Sequence, residues 1–197
     1  MSIAAFILAA GRSTRFGAEN KLLAQLYGVP MLARVIRNVK AAGLTDVIII
    51  TGHEAKDIAE IAAGEGVATC HNPDFAQGLS TSLKAGIAAL PEEVEAALIL
   101  LGDMPLVQAQ TIAALRDSAA ADAASAAFVP VYRGEWGNPV LLRRALFAPI
   151  MRLQGDQGAR KVLAAREDIA LVAVDDPGIL ADFDTKTEFS TAQASRA

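Results

Sequence analysis

Only one cysteine, Cys70, occurs in 197 residues, which excludes an internal disulfide and any zinc site built from several thiolates. A buried, unreactive thiol is the expectation for it. Histidine is nearly as scarce: His53 and His71 are the two in the chain, and a surface or locally hydrogen-bonded role is expected for each. Aromatic residues make up 5% of the sequence and the net charge is -4, so the basic patches and stacking rings of a nucleic-acid surface are missing. No apolar run approaches the roughly 20 residues of a membrane-spanning helix. The first apolar segment has no basic leader and soon meets a polar loop, so it does not read as a signal peptide. There is no internal repeat and no Pro/Gly/Ser linker. A cytoplasmic protein acting on a small partner, without nucleic acid or membrane, is expected. Its single domain would cover 1–190, with a short tail over 191–197.

What is present is a hydrophobic content of 53%, enough for one substantial core, and a period that alternates between strand and helix. Ile3 to Leu8 is an almost unbroken apolar run and reads as a strand buried on both faces of a parallel sheet. Leu32, Val35, Ile36 and Val39 share one helical face ahead of a stop at Gly43. Val47 to Ile50, Val67 to Cys70 and Ala96 to Leu101 read as further strands, separated by helices around Ile58, Ile61 and Ala62 and over Ser80 to Leu90. In the second half, Thr111 to Ala127 reads as an alanine-rich helix. Ala126 to Val131, Val140 to Leu142 and Ala170 to Val174 read as strands. The pattern predicts a single-domain, doubly wound α/β fold with a mostly parallel sheet, helices on both faces and right-handed crossovers.

The loop that leaves the first strand carries the chemistry. Gly11 and Gly17 bracket Arg12, Ser13, Thr14, Arg15 and Phe16, and Lys21 follows. Glycines let phosphates approach the backbone, and Arg12, Arg15 and Lys21 supply countercharge at the sheet edge where open α/β folds bind ligands. Two standard phosphate loops are excluded. Gly17 is followed by Ala18-Glu19-Asn20-Lys21, not by Lys and a hydroxyl residue, and Gly11 has no glycine two positions on. The same segment also reads as an ordinary strand exit with solvated arginines.

Asp103 follows the apolar run Leu98-Ile99-Leu100-Leu101 after Gly102 and should emerge at the same edge, where magnesium on a triphosphate would take one or two carboxylates. It also reads as a turn cap ahead of Pro105. Asp182 and Asp184 form a second acidic pair, or a solvated turn. Asn72 to Leu83 is a long polar connection running into a helix, with Ser80 a candidate N-cap. The run Gly78-Leu79-Ser80-Thr81-Ser82 lacks the closing glycine of a hydrolase nucleophile elbow.

Taken in order, Leu8 to Gly17 with Lys21, Asn72-Pro73 through Ser82, Gly102-Asp103-Met104-Pro105, Gly137-Asn138-Pro139, Gly155 to Arg160 and Asp182-Phe183-Asp184-Thr185 resemble the nucleotidyltransferases of molybdenum cofactor maturation, and the cytidylyltransferase branch best. The resemblance runs from Ile3 to about Phe189. It implies a Rossmann-like nucleotidyltransferase fold with Ala9, Ala10 and Gly11 by the nucleotide base, and with Arg12 and Ser13 in the same nucleotide-binding loop. Arg15 and Lys21 would lie on the triphosphate, Gly78 and Ser82 would help to read the base, and Asp103 and Asp184 would hold Mg2+. Asn138, Pro139, Gly155, Asp156 and Arg160 would face the pterin substrate. Catalysis is assigned to Arg15, Lys21 and Asp103. The chain has three residues between Gly17 and Lys21 where many relatives have two, and Asn138 where several carry histidine.

The implied reaction moves CMP from CTP to the terminal phosphate of a molybdopterin-type cofactor. That phosphate is already ionised, so no histidine base is required. A recipient molybdoenzyme or its chaperone is a further implied partner. Other readings stay open: a GTP-using relative, a transferase with another phosphorylated acceptor, a pterin-cofactor carrier without chemistry, and a flavin- or nicotinamide-dependent reductase.

Overall fold

The computed structural model describes residues 1–17 and 19–194, the last four of these by backbone alone. Strand β1, Ile3–Ala9, is the centre of the molecule. Its residues alternate between two cores: Ala5, Ile7 and Ala9 enter one, Phe6 and Leu8 the other, all nearly inaccessible to solvent. This two-sided burial is why the segment reads as a continuous apolar run instead of an alternating one.

A small hairpin, β2 (Gln25–Leu26) and β3 (Val29–Pro30), leads into α1, Met31–Ala41, which ends where Gly43 takes φ +83°. β4 (Val47–Thr51), α2 (Ala55–Gly64), β5 (Ala68–His71), α3 (Leu79–Ala88) and β6 (Ala96–Leu101) follow. Then come α4 (Ala109–Ala121), β7 (Ala127–Tyr132), β8 (Glu135–Trp136), β9 (Val140–Arg143), α5 (Phe147–Ile150), α6 (Ala159–Leu163), β10 (Ile169–Ala173) and α7 (Lys186–Ala194). The sheet order is β10-β7-β9-β6-β1-β4-β5, with β8 paired to β7. Residues of α1, α2 and α4 fill one core and those of α3, α5 and α6 the other, so helices cover both faces. The expected doubly wound α/β sheet is present. The expected tail overlaps α7, and residues 195–197 lie outside the described residues.

Four details add to or differ from the sequence reading. β9 runs antiparallel to both β6 and β7, and the short β8 is antiparallel to β7, in a sheet whose other pairings are parallel. The helix expected to reach Ala127 stops at Ala121, because the Asp122 carboxylate accepts from Ala124 N, Ser125 N and Ser125 Oγ and turns the chain, while Arg143 donates to the Ala119 and Asp122 carbonyls. Ser80 is not the cap of α3. That position belongs to Gly78, at φ +111°, and Ser80 is buried in the first turn. Cys70 is half-buried and packs beside the second core, less enclosed than expected.

The histidines behave as expected. His71 Nδ1 lies 3.4 Å from Thr51 Oγ1, and His53 is a partly exposed neighbour of Glu54. Among the described residues no helix is long and apolar enough to cross a membrane.

Register sets up the site. Ala9 pairs with Thr51 and Leu8 with Leu101, so β1, β4 and β6 finish side by side. Gly102 N donates to Leu8 O at 2.9 Å, which brings Asp103 alongside the loop that leaves β1.

Candidate active site

The loop after β1 is ordered by its own contacts. Ser13 takes φ +51° and its carbonyl accepts from Phe16 N, while Gly17 takes φ +111°. Phe16 is buried and meets Phe189 of α7 edge-on at 5.6 Å, and Phe189 meets Phe183 in the same way at 5.9 Å. Such aromatic pairs, with centroids 4.5–7 Å apart, add roughly 0.5–1.5 kcal/mol beyond burial. They tie the loop to the segment that carries Asp184. The Asn20 side chain accepts from Leu22 N and caps a single 3-10 turn, Lys21–Leu23. That turn takes up the extra residue before Lys21 and directs its side chain inward.

A cavity of about 670 Å³ opens over this loop. Ala9, Ala10, Gly11, Arg12, Ser13 and Arg15 line it from β1, and Gly78 and Ser82 from α3. No atom lies within 4 Å of where a Gly11 Cβ would stand, so the backbone there is open to a ligand. Lys21, Asp103 and Asp184 line it as well. Every residue expected on the nucleotide side therefore meets in one cavity.

Phe75, which the sequence reading passed over, lines the same cavity, with the Arg12 guanidinium 5.6 Å from its ring centre. It stands close because β4 is followed by Gly52, whose Cβ would lie 2.6 Å from Phe75 Cβ and 2.7 Å from Ala10 Cβ. A lone aromatic in a polar connection was the signal available for it. Asn72 is the other omission. Buried, it donates to Thr81 Oγ1 at 2.9 Å and Ser82 Oγ at 3.1 Å, and so fixes the hydroxyl expected to read the base.

Lys21 Nζ is 2.6 Å from Asp103 Oδ2 and 2.7 Å from Asp184 Oδ1, with the lysine side chain 12% exposed. Arg15 NH1 reaches Asp184 Oδ2 at 3.0 Å but is 77% exposed. Lys21, not Arg15, is the cation embedded in the site. Burial alone would lower its pKa, but attraction and hydrogen bonds from Asp103 and Asp184 outweigh that and raise it. The hydrogen bond from Lys21, with its charge and that of Arg15, pulls Asp184 below the usual carboxylate range against the effect of burial. Asp182 is shifted upward by burial, and the charges of Asp103 and Asp184 add to the shift.

A lowered carboxylate pKa contributes stability above the unfolded value and loses it as pH falls through the folded one. The melting-temperature gap between the wild type and Asp184→Asn should therefore be widest near neutrality and close as pH drops below roughly 4. A gap independent of pH in thermal melts would show that the ion pair contributes nothing.

Asp103 and Asp184 suit a hard divalent cation. Their oxygens already converge on one positive group, and two carboxylates leave the remaining oxygen positions to phosphates and water, as Mg2+ prefers. Among the described residues there is no cluster of three or more His, Cys, Asp or Glu side chains that would form an all-protein cage.

A second cavity, about 900 Å³, adjoins the first, and Leu8, Leu79 and Leu101 line both. Its walls are mainly apolar, with the chain's single tryptophan, Trp136, and the polar groups of Glu135, Asn138, Arg160 and Asp182. Arg160 NH2 donates to Trp136 O at 2.7 Å, and Asn138 N to Ile179 O at 2.9 Å. The five residues expected to face the second substrate separate. Asn138 and Arg160 line this cavity, Pro139 and Gly155 lie outside both linings, and Asp156 lines the first. The reason is packing. A Cβ on Gly78 would collide with the Gly155 carbonyl, so the backbone at 155 and 156 rides against the start of α3.

A basic glycine loop, two carboxylates and paired cavities at the carboxyl edge of a doubly wound sheet are the features of an α/β protein that binds nucleoside triphosphates. The MobA-like NTP transferase domain matches residues 5–170, and the chain belongs to that family of nucleotidyltransferases. It is 28% identical to the molybdenum cofactor cytidylyltransferase of Escherichia coli strain K12 over 98% of this chain and 96% of that protein. It is 34% identical to the bifunctional protein GlmU of Sorangium cellulosum over 73% of its own length, and spans 31% of that longer protein. Among solved structures, Rv0371c of Mycobacterium tuberculosis superposes with a TM-score of 0.87 at 26% identity, covering 98% of both chains. Its manganese complex gives 0.84 at 26% identity, over 99% of this chain and all of that one.

Proposed function

We propose that the protein transfers CMP from CTP to the terminal phosphate of a molybdopterin-type cofactor and releases pyrophosphate. The observation that carries this reading is the joined cleft. A basic, glycine-lined cavity shares a leucine wall with a larger one holding Trp136, Asn138 and Arg160, and Lys21 with its carboxylates lines the nucleotide half. An apolar cavity with one indole, an amide and a guanidinium suits a fused heterocycle that ends in a phosphate. The similarity to the Escherichia coli cytidylyltransferase along the chain supports that acceptor.

In the reaction an ionised oxygen of the acceptor phosphate attacks the α-phosphorus of CTP. One phosphorus–oxygen bond forms, the α–β bridge breaks, and pyrophosphate leaves with the electron pair. No proton has to be removed, consistent with histidines that lie outside both cavity linings. The chain's own task is to hold the two phosphates in line and neutralise charge, with Arg15 and Lys21 on the triphosphate and Arg160 on the acceptor side. Asp103 and Asp184 would hold Mg2+, which when bound supplies further neutralisation at the phosphates. The setting is cytoplasmic, and a molybdoenzyme or its chaperone would receive the product.

The test is pyrophosphate release from CTP with and without purified molybdopterin cofactor, with GTP and UTP in parallel. Release that requires both CTP and the cofactor, with the cytidylylated cofactor recovered by mass spectrometry, is the expected result. Cofactor bound and returned unchanged, without pyrophosphate, would identify a carrier instead.

A further inference from the structure

Three carboxylates line the nucleotide cavity: Asp103, Asp184 and Asp156. The first two are engaged by Lys21. Asp156 has no side-chain hydrogen bond or ion pair among the described residues, and its backbone lies against the start of α3. A Cβ on Gly78 would lie 2.8 Å from Asp156 N, and Ser80 N donates to Gly155 O at 3.0 Å. Backbone contact with the first turn of α3 thus places Asp156 beside Gly78, at the start of the helix that carries Ser82, in a cavity both residues line.

We infer that Asp156 reads the exocyclic amine of the nucleotide base and rejects bases that present a carbonyl there. An ionised carboxylate only accepts hydrogen bonds. Cytosine offers an amino donor at N4, whereas uracil offers an acceptor at O4, which a carboxylate repels. Ser82 supplies the complementary half. Its Oγ accepts from Asn72 Nδ2 at 3.1 Å, so its hydroxyl hydrogen remains to be donated, and cytosine presents acceptors at N3 and O2. A donor on α3 and an acceptor on the loop packed against its start match cytosine and invert against uracil. The inference rests on the proposed use of CTP and adds the residue that selects it among pyrimidines.

Asp156→Asn tests this, because the amide is the same size and can donate to O4. The ratio of kcat/KM for CTP over UTP should fall by at least about fivefold, through loss with CTP and gain with UTP, while the KM for the acceptor stays constant. Asp156→Ala should lose CTP efficiency without the gain for UTP. An unchanged ratio, or a rise in acceptor KM alone, overturns the inference and returns Asp156 to the acceptor side. Wild-type protein that prefers GTP would defeat the cytidylyl reading separately. Asp156 would then be judged by GTP against inosine triphosphate, which lacks the guanine amine, with the same fivefold criterion applied to Asp156→Asn.

Discussion

Asp103→Asn should lower nucleotidyl transfer by about a hundredfold or more while the protein stays folded. Asp103 emerges from β6 at the edge where β1 also ends, and its Oδ2 is one of the two carboxylate oxygens on Lys21 Nζ. An asparagine keeps the volume and removes the charge that a metal or an ammonium needs. Lys21 retains Asp184 at 2.7 Å, so the stability loss should be well below the ~3–5 kcal/mol of breaking an isolated buried pair. Pyrophosphate release at saturating CTP and magnesium, beside a circular-dichroism melt, separates the two effects. Turnover close to wild type would remove Asp103 from the machinery.

Lys21→Met should move two properties in opposite directions. Without the ammonium, CTP efficiency should drop by about 10²–10³-fold, the scale seen when a preorganised electrostatic partner of a transition state is deleted. Binding of Mn2+ to the nucleotide-free protein should tighten at the same time. In the wild type the ammonium sits between Asp103 and Asp184 and competes for the oxygens a divalent cation would use. Methionine keeps most of the side chain's length and frees Asp103 Oδ2 and Asp184 Oδ1, with only the exposed Arg15 still on Asp184 Oδ2. Calorimetry with the metal alone reads the second effect, so it does not depend on which nucleotide or acceptor is correct. If metal affinity fell together with turnover, the carboxylate pair would not be the metal site.

Lys21 is more deeply embedded in the site than Arg15 for a local reason. Three residues between Gly17 and Lys21 look like a misfit when counted along the chain. Asn20 closes the spacing with a capped 3-10 turn, which delivers Lys21 to both carboxylates, while Arg15 remains mostly exposed and touches Asp184 alone. Phe75 and Asn72 belong to the site through contacts with Arg12 and Ser82, and neither contact has a signature in residue spacing.

The amino-acid order by itself determined the elements and the edge on which chemistry occurs. β1 buries both faces, and a strand of that kind needs an unbroken apolar run, which is legible from Ile3 to Ala9 without any partner in view. The glycine-bounded basic loop and Asp103 each follow such a run closely, so their placement at the carboxyl edge needs only the parallel sheet that the alternating period implies. Tertiary structure decided the rest. An apolar segment as short as Val140–Arg143 carries no mark of direction, and its reversal comes from pairing with β6 and β7. The side of the cleft taken by Asp156 depends on Gly78, which lets the backbone at Gly155, 77 positions further on, come close because it has no side chain to keep the two apart. Sequence distance says nothing about such a contact, and it is this contact that brings Asp156 into the lining of the first cavity and not the second.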